Sequence, residues 1–504
     1  MKKYLLAPIL LFAVRSYGQQ IENTSGYKKR VLETTEVDFL TSYYTQDGQN
    51  ASVTGGIGDE HLTDFTPTVV VSVPLNDDDV LTIDAGISTY TSASSSNLNP
   101  FDGSYKSSGG NAISGASTSS NVSGSNTNFN SGEFEDEDFF ASGTAAVNGP
   151  IGSPWVASSG ASRQDTWAGV TIDYSHSSDN RNTIWNADAS FSSEFDYSSI
   201  GFGGGLTQLF NDKNTTLGLS TKIYLDTWNP RYPTELDTYL EVNGNLNSGF
   251  FQGVTIWDQQ GNPSTNWHPV TGFDLIQDKA RNSYSVSLSF SQILSKNAQI
   301  SLFFDYVRQQ GWLGNPMQRV YFGDIPNYYI GNPESITNYT SPTNVDVFQL
   351  ADDFERLPST RTKIPFGMRL NYYINETFAL RTYYRYYSDD WGINSHTASL
   401  EIPIKIANKW TIYPSYRYYN QTQADYFAPY EQNLSTSNYY TSDYDLSKFS
   451  ANQYGFGISY TDIFAKFRIA SFGLKSIDLN YNNYKRDTGL KANIFSFGFK
   501  FLMD

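Results

Sequence analysis

From Ile494 to Leu502 the chain reads I-F-S-F-G-F-K-F-L, with Phe495, Phe497, Phe499 and Phe501 on one parity and Ser496, Gly498 and Lys500 on the other. A repeat of two residues marks an extended strand, because successive side chains leave opposite faces of a pleated backbone. The same alternation recurs along the chain. Val69, Val71 and Val73 lead to the polar turn Asn76-Asp77-Asp78-Asp79, and Leu81, Ile83, Ala85 and Ile87 return. Tyr284, Val286, Leu288 and Phe290 alternate with Ser285, Ser287, Ser289 and Ser291. Turns rich in Asn, Asp, Lys and Ser follow at 211–214, 295–297, 375–376 and 407–409, and these residue types reverse a chain at low cost.

Short turns alternate with long connections, predicted near 92–163, 229–283, 309–361 and 421–450. One face of each strand is apolar and the other is Ser, Asp, Asn, Lys or Arg. That pairing, with strongly asymmetric connections, predicts an all-β fold: a transmembrane antiparallel up-and-down β-barrel of about 16 strands, within a range of roughly 14 to 18. Both termini then face the periplasm. No run of about 18 apolar residues follows the N-terminus, so only a closed sheet remains to cross a bilayer. A pair of soluble β-sandwiches is the competing architecture, and it has no need of aromatic-ended strands or one-sided loops. Residues 92–163, rich in Ser, Gly and Asn, lack the apolar content for a separate domain and are read as one long loop.

Composition agrees with a barrel that has a wet interior. The 504 residues include 37 Tyr and 33 Phe, yet the mean hydropathy is -0.45. Residues 1–18, with Lys2, Lys3 and an apolar run from Tyr4 to Val14, predict a secretory signal peptide. Residues 19–34 are then a short periplasmic segment and 35–504 the barrel. The chain has no cysteine, which removes lipid attachment at a lipobox, disulfides and thiolate chemistry together. A net charge of -17 argues against nucleic acid as a partner.

The polar parity supplies the candidate lumen residues: Asp173, Asp188, Glu194, Lys222, Asp226, Asp305, Arg369, Arg381, Arg385, Glu401 and Arg417. A ring of charges sets what a pore admits, whereas opposite charges paired across a wall merely satisfy each other. The acids fall early in the chain and the arginines late, so the expected lumen is electrically lopsided. The four phenylalanines of the terminal strand are assigned to membrane insertion, with outer-membrane lipid and the barrel-assembly machinery as partners. Trp257, Trp267, Trp312 and Trp391 fall in loops and are read as loop anchors rather than sugar-stacking platforms. Gly201, Gly203, Gly204 and Gly205 lack the Lys-Ser/Thr of a phosphate loop and are read as close-approach positions in a strand. The four histidines have no metal-ligand spacing, and no serine nucleophile elbow occurs. A barrel hydrolase built on His396 and a serine of a neighbouring strand is the one enzymatic alternative. The expectation is a non-enzyme with no cofactor.

Two segments carry a family resemblance. Asp84-Ala85-Gly86-Ile87-Ser88-Thr89-Tyr90-Thr91, running on to Asn97, and the block from Tyr174-Ser175 through Asp179-Asn180-Arg181 to Tyr197-Ser198-Ser199 resemble Gram-negative outer-membrane barrel proteins catalogued as a domain of unknown function. The resemblance implies an outer-membrane location. It also implies an association with a flavin transferase, thioredoxin-like proteins and a small envelope lipoprotein. Two functions are thus expected: passage of a small polar solute, or a scaffold or sleeve for an envelope redox or lipoprotein partner.

Overall fold

Alternating segments with polar turns between them pair in sequence order, because each hairpin brings its neighbour into hydrogen-bonding range before any distant strand can compete. A computed structural model describes residues 30–91, 154, 164–270, 272–344 and 346–503. The strands are β1 (Thr35–Asp47), β2 (Leu62–Pro74), β3 (Asp79–Thr91), β4 (Gln164–Ser177), β5 (Thr183–Ser193), β6 (Tyr197–Phe210), β7 (Thr215–Trp228), β8 (Lys279–Ser295), β9 (Ala298–Gly311) and β10 (Thr360–Tyr373). They continue with β11 (Ala379–Asp389), β12 (Asn394–Glu401), β13 (Trp410–Gln421), β14 (Phe449–Thr461), β15 (Phe472–Arg486) and β16 (Lys491–Met503).

Among the described residues, the main sheet has eighteen segments: these sixteen strands and two short extensions, Ile404–Ala407 and Arg468–Ile469. The ring closes antiparallel between β1 and β16, in register from Thr35↔Met503 to Asp47↔Lys491. The fold is therefore a sixteen-strand, up-and-down barrel of the outer-membrane type. No helix among the described residues is long and apolar enough to cross a membrane.

Register places the apolar parity of every strand on one side of the wall. Phe191, Phe202, Leu217, Leu288, Phe366, Tyr454 and Phe497 are all exposed there, with Phe497 at 42%. Water would penalise such a surface, so this is the hydrocarbon-facing exterior. Rings on adjacent strands touch edge to face, as with Phe39 and Phe501 at 5.9 Å, or tilted, as with Tyr481 and Phe495 at 4.8 Å.

Two boundaries differ from the sequence reading. The strand expected to begin after 283 begins at Lys279, because β7 still pairs with it through Trp228↔Lys279 and Thr227↔Ala280. Backbone pairing thus outlasts the apolar alternation at the rim. The apolar alternation Ala398, Leu400, Ile402 and Ile404 reads as one strand but is interrupted after Glu401, where Pro403 has no N–H to give the ladder. The β14–β15 connection, 462–471, is longer than the tight turns around it and carries its own short ladder, Arg468↔Gly473 and Ile469↔Phe472. Residues 1–29, which include the expected signal peptide, lie outside the described residues. Residues 30–34, which lead into β1, lie against the β2–β3 turn, where the Val31 N–H donates to the Asp77 carbonyl at 3.0 Å and Arg30 Nε to Asp77 Oδ1 at 2.8 Å.

Placing a cation on the exterior of the closing strand tests the assignment of faces. Phe497→Arg should cost about 2–4 kcal/mol of barrel stability, whereas Ser496→Asp on the opposite face should change it by less than about 1 kcal/mol. Heat-modifiable electrophoresis after refolding into lipid vesicles reads both; equal losses would reverse the assignment.

Candidate functional site

The inner wall is built from the polar parity. Asp173, Asp188, Lys222, Asp226, Asp305, Arg369, Arg381, Arg385, Glu401 and Arg417 alternate with exterior residues in their strands and share this face. Glu194 lies just past the end of β5, in the short 194–196 connection at the rim, and burial raises its carboxyl pKa. Several of the charges are answered locally. Lys222 Nζ donates to Asp188 Oδ1 at 2.6 Å, and Arg381 Nη1 to Glu401 Oε1 at 2.8 Å. Asp226 accepts from Ser199 Oγ at 2.6 Å, and Asp173 from Asn186 Nδ2 at 2.7 Å.

The Asp188–Lys222 pair spans the intervening strand over Gly203, which sits in register with both. A Cβ at Gly203 would collide with the Asp188 carboxylate, so the glycine keeps the bridge's path clear. The glycine run of β6 therefore serves side-chain approach within the wall. Nearer the long-loop end a recess of about 260 Å³ opens between Arg417, Tyr419, Gln453, Tyr484 and Arg486, with Asp445 at its edge.

Above the lumen, the long connections are folded rather than irregular. The 229–278 connection contains α1 (Thr234–Glu241) and Ile256–Asp258, which joins Tyr328–Gly331 and Val347–Gln349 in a three-stranded sheet. Arg319–Val320 pairs with Asp353–Phe354. Tyr232, Leu236, Phe251, Trp267, Tyr321, Phe348 and Phe354 make an apolar core, with Tyr430 of the 422–448 connection packed against it.

A buried ion pair fastens this cap. Arg319 reaches Glu235 through Nε at 2.6 Å and Nη2 at 3.0 Å, and its Nη1 donates to the Val53 carbonyl at 3.0 Å. Val53 belongs to the β1–β2 connection and Arg319 to the β9–β10 connection. Strands β1 and β9 are eight apart in a ring of sixteen, hence diametrically opposed across about 30 Å of backbone. Contact between them requires the loops to cross the mouth. Gly55, at φ +78°, completes the crossing, since a Cβ there would collide with the Tyr321 ring.

The cap also buries carboxyls. Burial pushes Asp352 up to about 8, against the Phe322 N–H that donates to it at 2.9 Å. Burial and the charge of Asp443 raise Glu355, which accepts from the Asn315 N–H at 2.6 Å; burial and Asp445 raise Asp443.

Three tryptophans of the long connections and Trp391 of the short 390–393 turn serve as anchors. Trp257, Trp267 and Trp391 donate their indole N–H to the carbonyls of Gly331, Ala351 and Thr360, and Trp312 stacks on Phe354. His396 lies on the exterior parity beside Tyr384, whose hydroxyl is 2.7 Å from its Nδ1. The expected loop 92–163 lies outside the described residues except for Pro154, whose carbonyl accepts from the Asp59 N–H at 3.0 Å. Sequence reasoning missed Arg319, Glu235 and the acidic run 351–356. The density of aromatic and acidic residues in those connections was the available sign of a core.

A family model described as "Protein of unknown function (DUF3570)" matches residues 28–491. No curated protein matches the chain. Among solved structures, a bacterial polysaccharide outer membrane secretin is 8% identical over 93% of this chain and 98% of its own, with a TM-score of 0.38. A TodX monoaromatic hydrocarbon channel mutant is 9% identical over 94% and 91%, TM-score 0.37. A Pseudomonas aeruginosa FadL homologue is 9% identical over 94% and 91%, TM-score 0.35.

The cap yields two predictions. Arg319→Met leaves Glu235 buried and unpaired, and should weaken the cap by about 3–5 kcal/mol, while Arg319→Met with Glu235→Leu recovers most of it. Hydrogen exchange over 312–359 reads the loosening, with the barrel strands unchanged. The second concerns pH. Because the buried carboxyls titrate above their ordinary range, the folded cap holds protons that the unfolded loops release. Its stability is fullest at acid pH and declines from about pH 4 to about 8, where Asp352 ionises in place. Faster exchange in the same segment across that window, with less change in Asp352→Asn, is the expected result.

Proposed function

Because the chain belongs to the family described as "Protein of unknown function (DUF3570)", we propose a function from its own inner wall: an outer-membrane passage for a small polar solute, gated by the folded loops. One observation carries this reading. The inner face of a ring wide enough for water carries exposed Arg369, Arg381, Arg385 and Arg417 among serines, threonines and aromatic rings such as Phe303 and Tyr383. The exterior faces outer-membrane lipid, and the terminal strand with Phe495, Phe497, Phe499 and Phe501 is the segment offered to the assembly machinery. No step of this reading is catalytic.

The crossing of the mouth by Arg319 and Val53 favours a second reading. A barrel whose outer opening is spanned by its own packed loops suits a sleeve or docking scaffold for an envelope redox or lipoprotein partner. Planar-bilayer recording separates the two. The passage predicts ohmic steps from the purified barrel, more frequent in Arg319→Met, where the cap is loosened. Electrical silence in both proteins would remove the passage and leave the sleeve.

A further inference from the structure

The inner wall does not distribute its charge evenly. Asp84, Asp173, Asp188 and Asp226 lie on β3, β4, β5 and β7, whereas Arg369, Arg381, Arg385 and Arg417 lie on β10, β11 and β13. Strands β3 and β11 are eight apart, as are β5 and β13, so the arginine arc faces the acidic arc across the lumen.

Within the arc, one arginine is already neutralised and three are not. Arg381 is paired with Glu401. Other cations of the barrel are likewise paired: Lys222 with Asp188, Arg361 with Asp389, Arg486 with Asp445 and Lys500 with Glu36. Among the described residues, Arg369, Arg385 and Arg417 have no carboxylate within ion-pair range, and all three are exposed. Their register makes them one group. Arg369↔Tyr383, Tyr383↔Ser399 and Ser399↔Arg417 form a single row. Arg385 stands one row away, between Gly367 and Thr397.

Neighbouring strands are about 4.8 Å apart, so the row spans about 14 Å between Cα atoms, and three guanidinium groups can reach a common solute, Arg417 from one side and Arg369 and Arg385 from the adjacent strands of the other. Arg369 lies over the rings of Phe303 at 5.7 Å and Tyr383 at 5.8 Å, which restrict its swing, and Arg417 borders the recess. A guanidinium presents paired N–H donors matched to two oxygens of one group.

We propose that the arginine arc is the solute-contacting wall of the lumen and selects small oxyanions, carboxylates or phosphates, over cations. This rests on the passage reading and supplies its solute class. The overall charge of -17 does not oppose it, because a solute in the lumen meets local charges within about 10 Å before the remainder of the surface.

The test replaces all three residues, Arg369→Gln, Arg385→Gln and Arg417→Gln, in the full barrel, with heat-modifiable migration confirming the fold. Under a potassium chloride gradient the chloride-to-potassium permeability ratio should fall by about threefold or more, while Arg381→Gln shifts it less. Citrate and inorganic phosphate, added separately, should reduce the wild-type current and spare that of the triple variant. Their relative potency tells carboxylate from phosphate preference. A conducting barrel whose ratio and block are unmoved overturns the inference and leaves the passage intact. If the barrel is silent even with Arg319→Met, the passage has failed, and calorimetry with citrate and phosphate decides the site: binding lost in the triple variant sustains it, and absence of binding to the wild type overturns it.

Discussion

In hydrocarbon an unpaired backbone N–H or carbonyl costs several kcal/mol, because no water is present to take its place. The thirteen-residue register between β1 and β16, from Thr35↔Met503 to Asp47↔Lys491, removes the last free edge of the sheet. Every other property follows from that closure. A closed ring has an inside and an outside, so one parity of each strand must be apolar and the other is free to be polar. The odd-numbered phenylalanines of β16 and the tyrosines and leucines of the other strands meet the first demand. The serines, acids and arginines use the second freedom.

That freedom is used in two ways. Along part of the wall, charges cancel at short range, and small residues make room for it, as Gly203 does beneath the Asp188–Lys222 bridge. Elsewhere charge is left facing water, as at Arg369, Arg385 and Arg417. The cap solves a different problem. It has no lipid to face and too little regular structure to be held by ladders, so it is held by an apolar core and one buried ion pair. Arg319 keeps its charge there although burial opposes it, because Glu235 restores what desolvation removes.

The barrel was legible in the amino-acid order and the cap was not. Period-two alternation over strands of 8 to 17 residues is a local signal, and parity alone placed Asp173, Arg385 and Arg417 on the same face as Lys222. Parity says nothing of register, so the pairing of Asp188 with Lys222 and of Arg381 with Glu401 could not be read in advance. The core of Tyr232, Leu236, Trp267 and Phe354 has no period at all, and its members meet only because distant hairpins lie side by side. Pro403 shows the opposite case, in which one residue broke a strand that its apolar neighbours suggested was continuous.

The bond from Arg319 to Val53 joins residues 266 positions apart. Bringing such distant segments together carries a large entropic cost unless intervening structure has already shortened the path. On entropic grounds the latch costs least once the hairpins have paired and the first and last strands have met. A barrel that inserted with a strand missing or misregistered would hold its two latch halves apart and leave the aromatic cluster of the loops in water. The same bond that spans the opening thus makes the arrangement of the outer loops depend on closure of the wall beneath them.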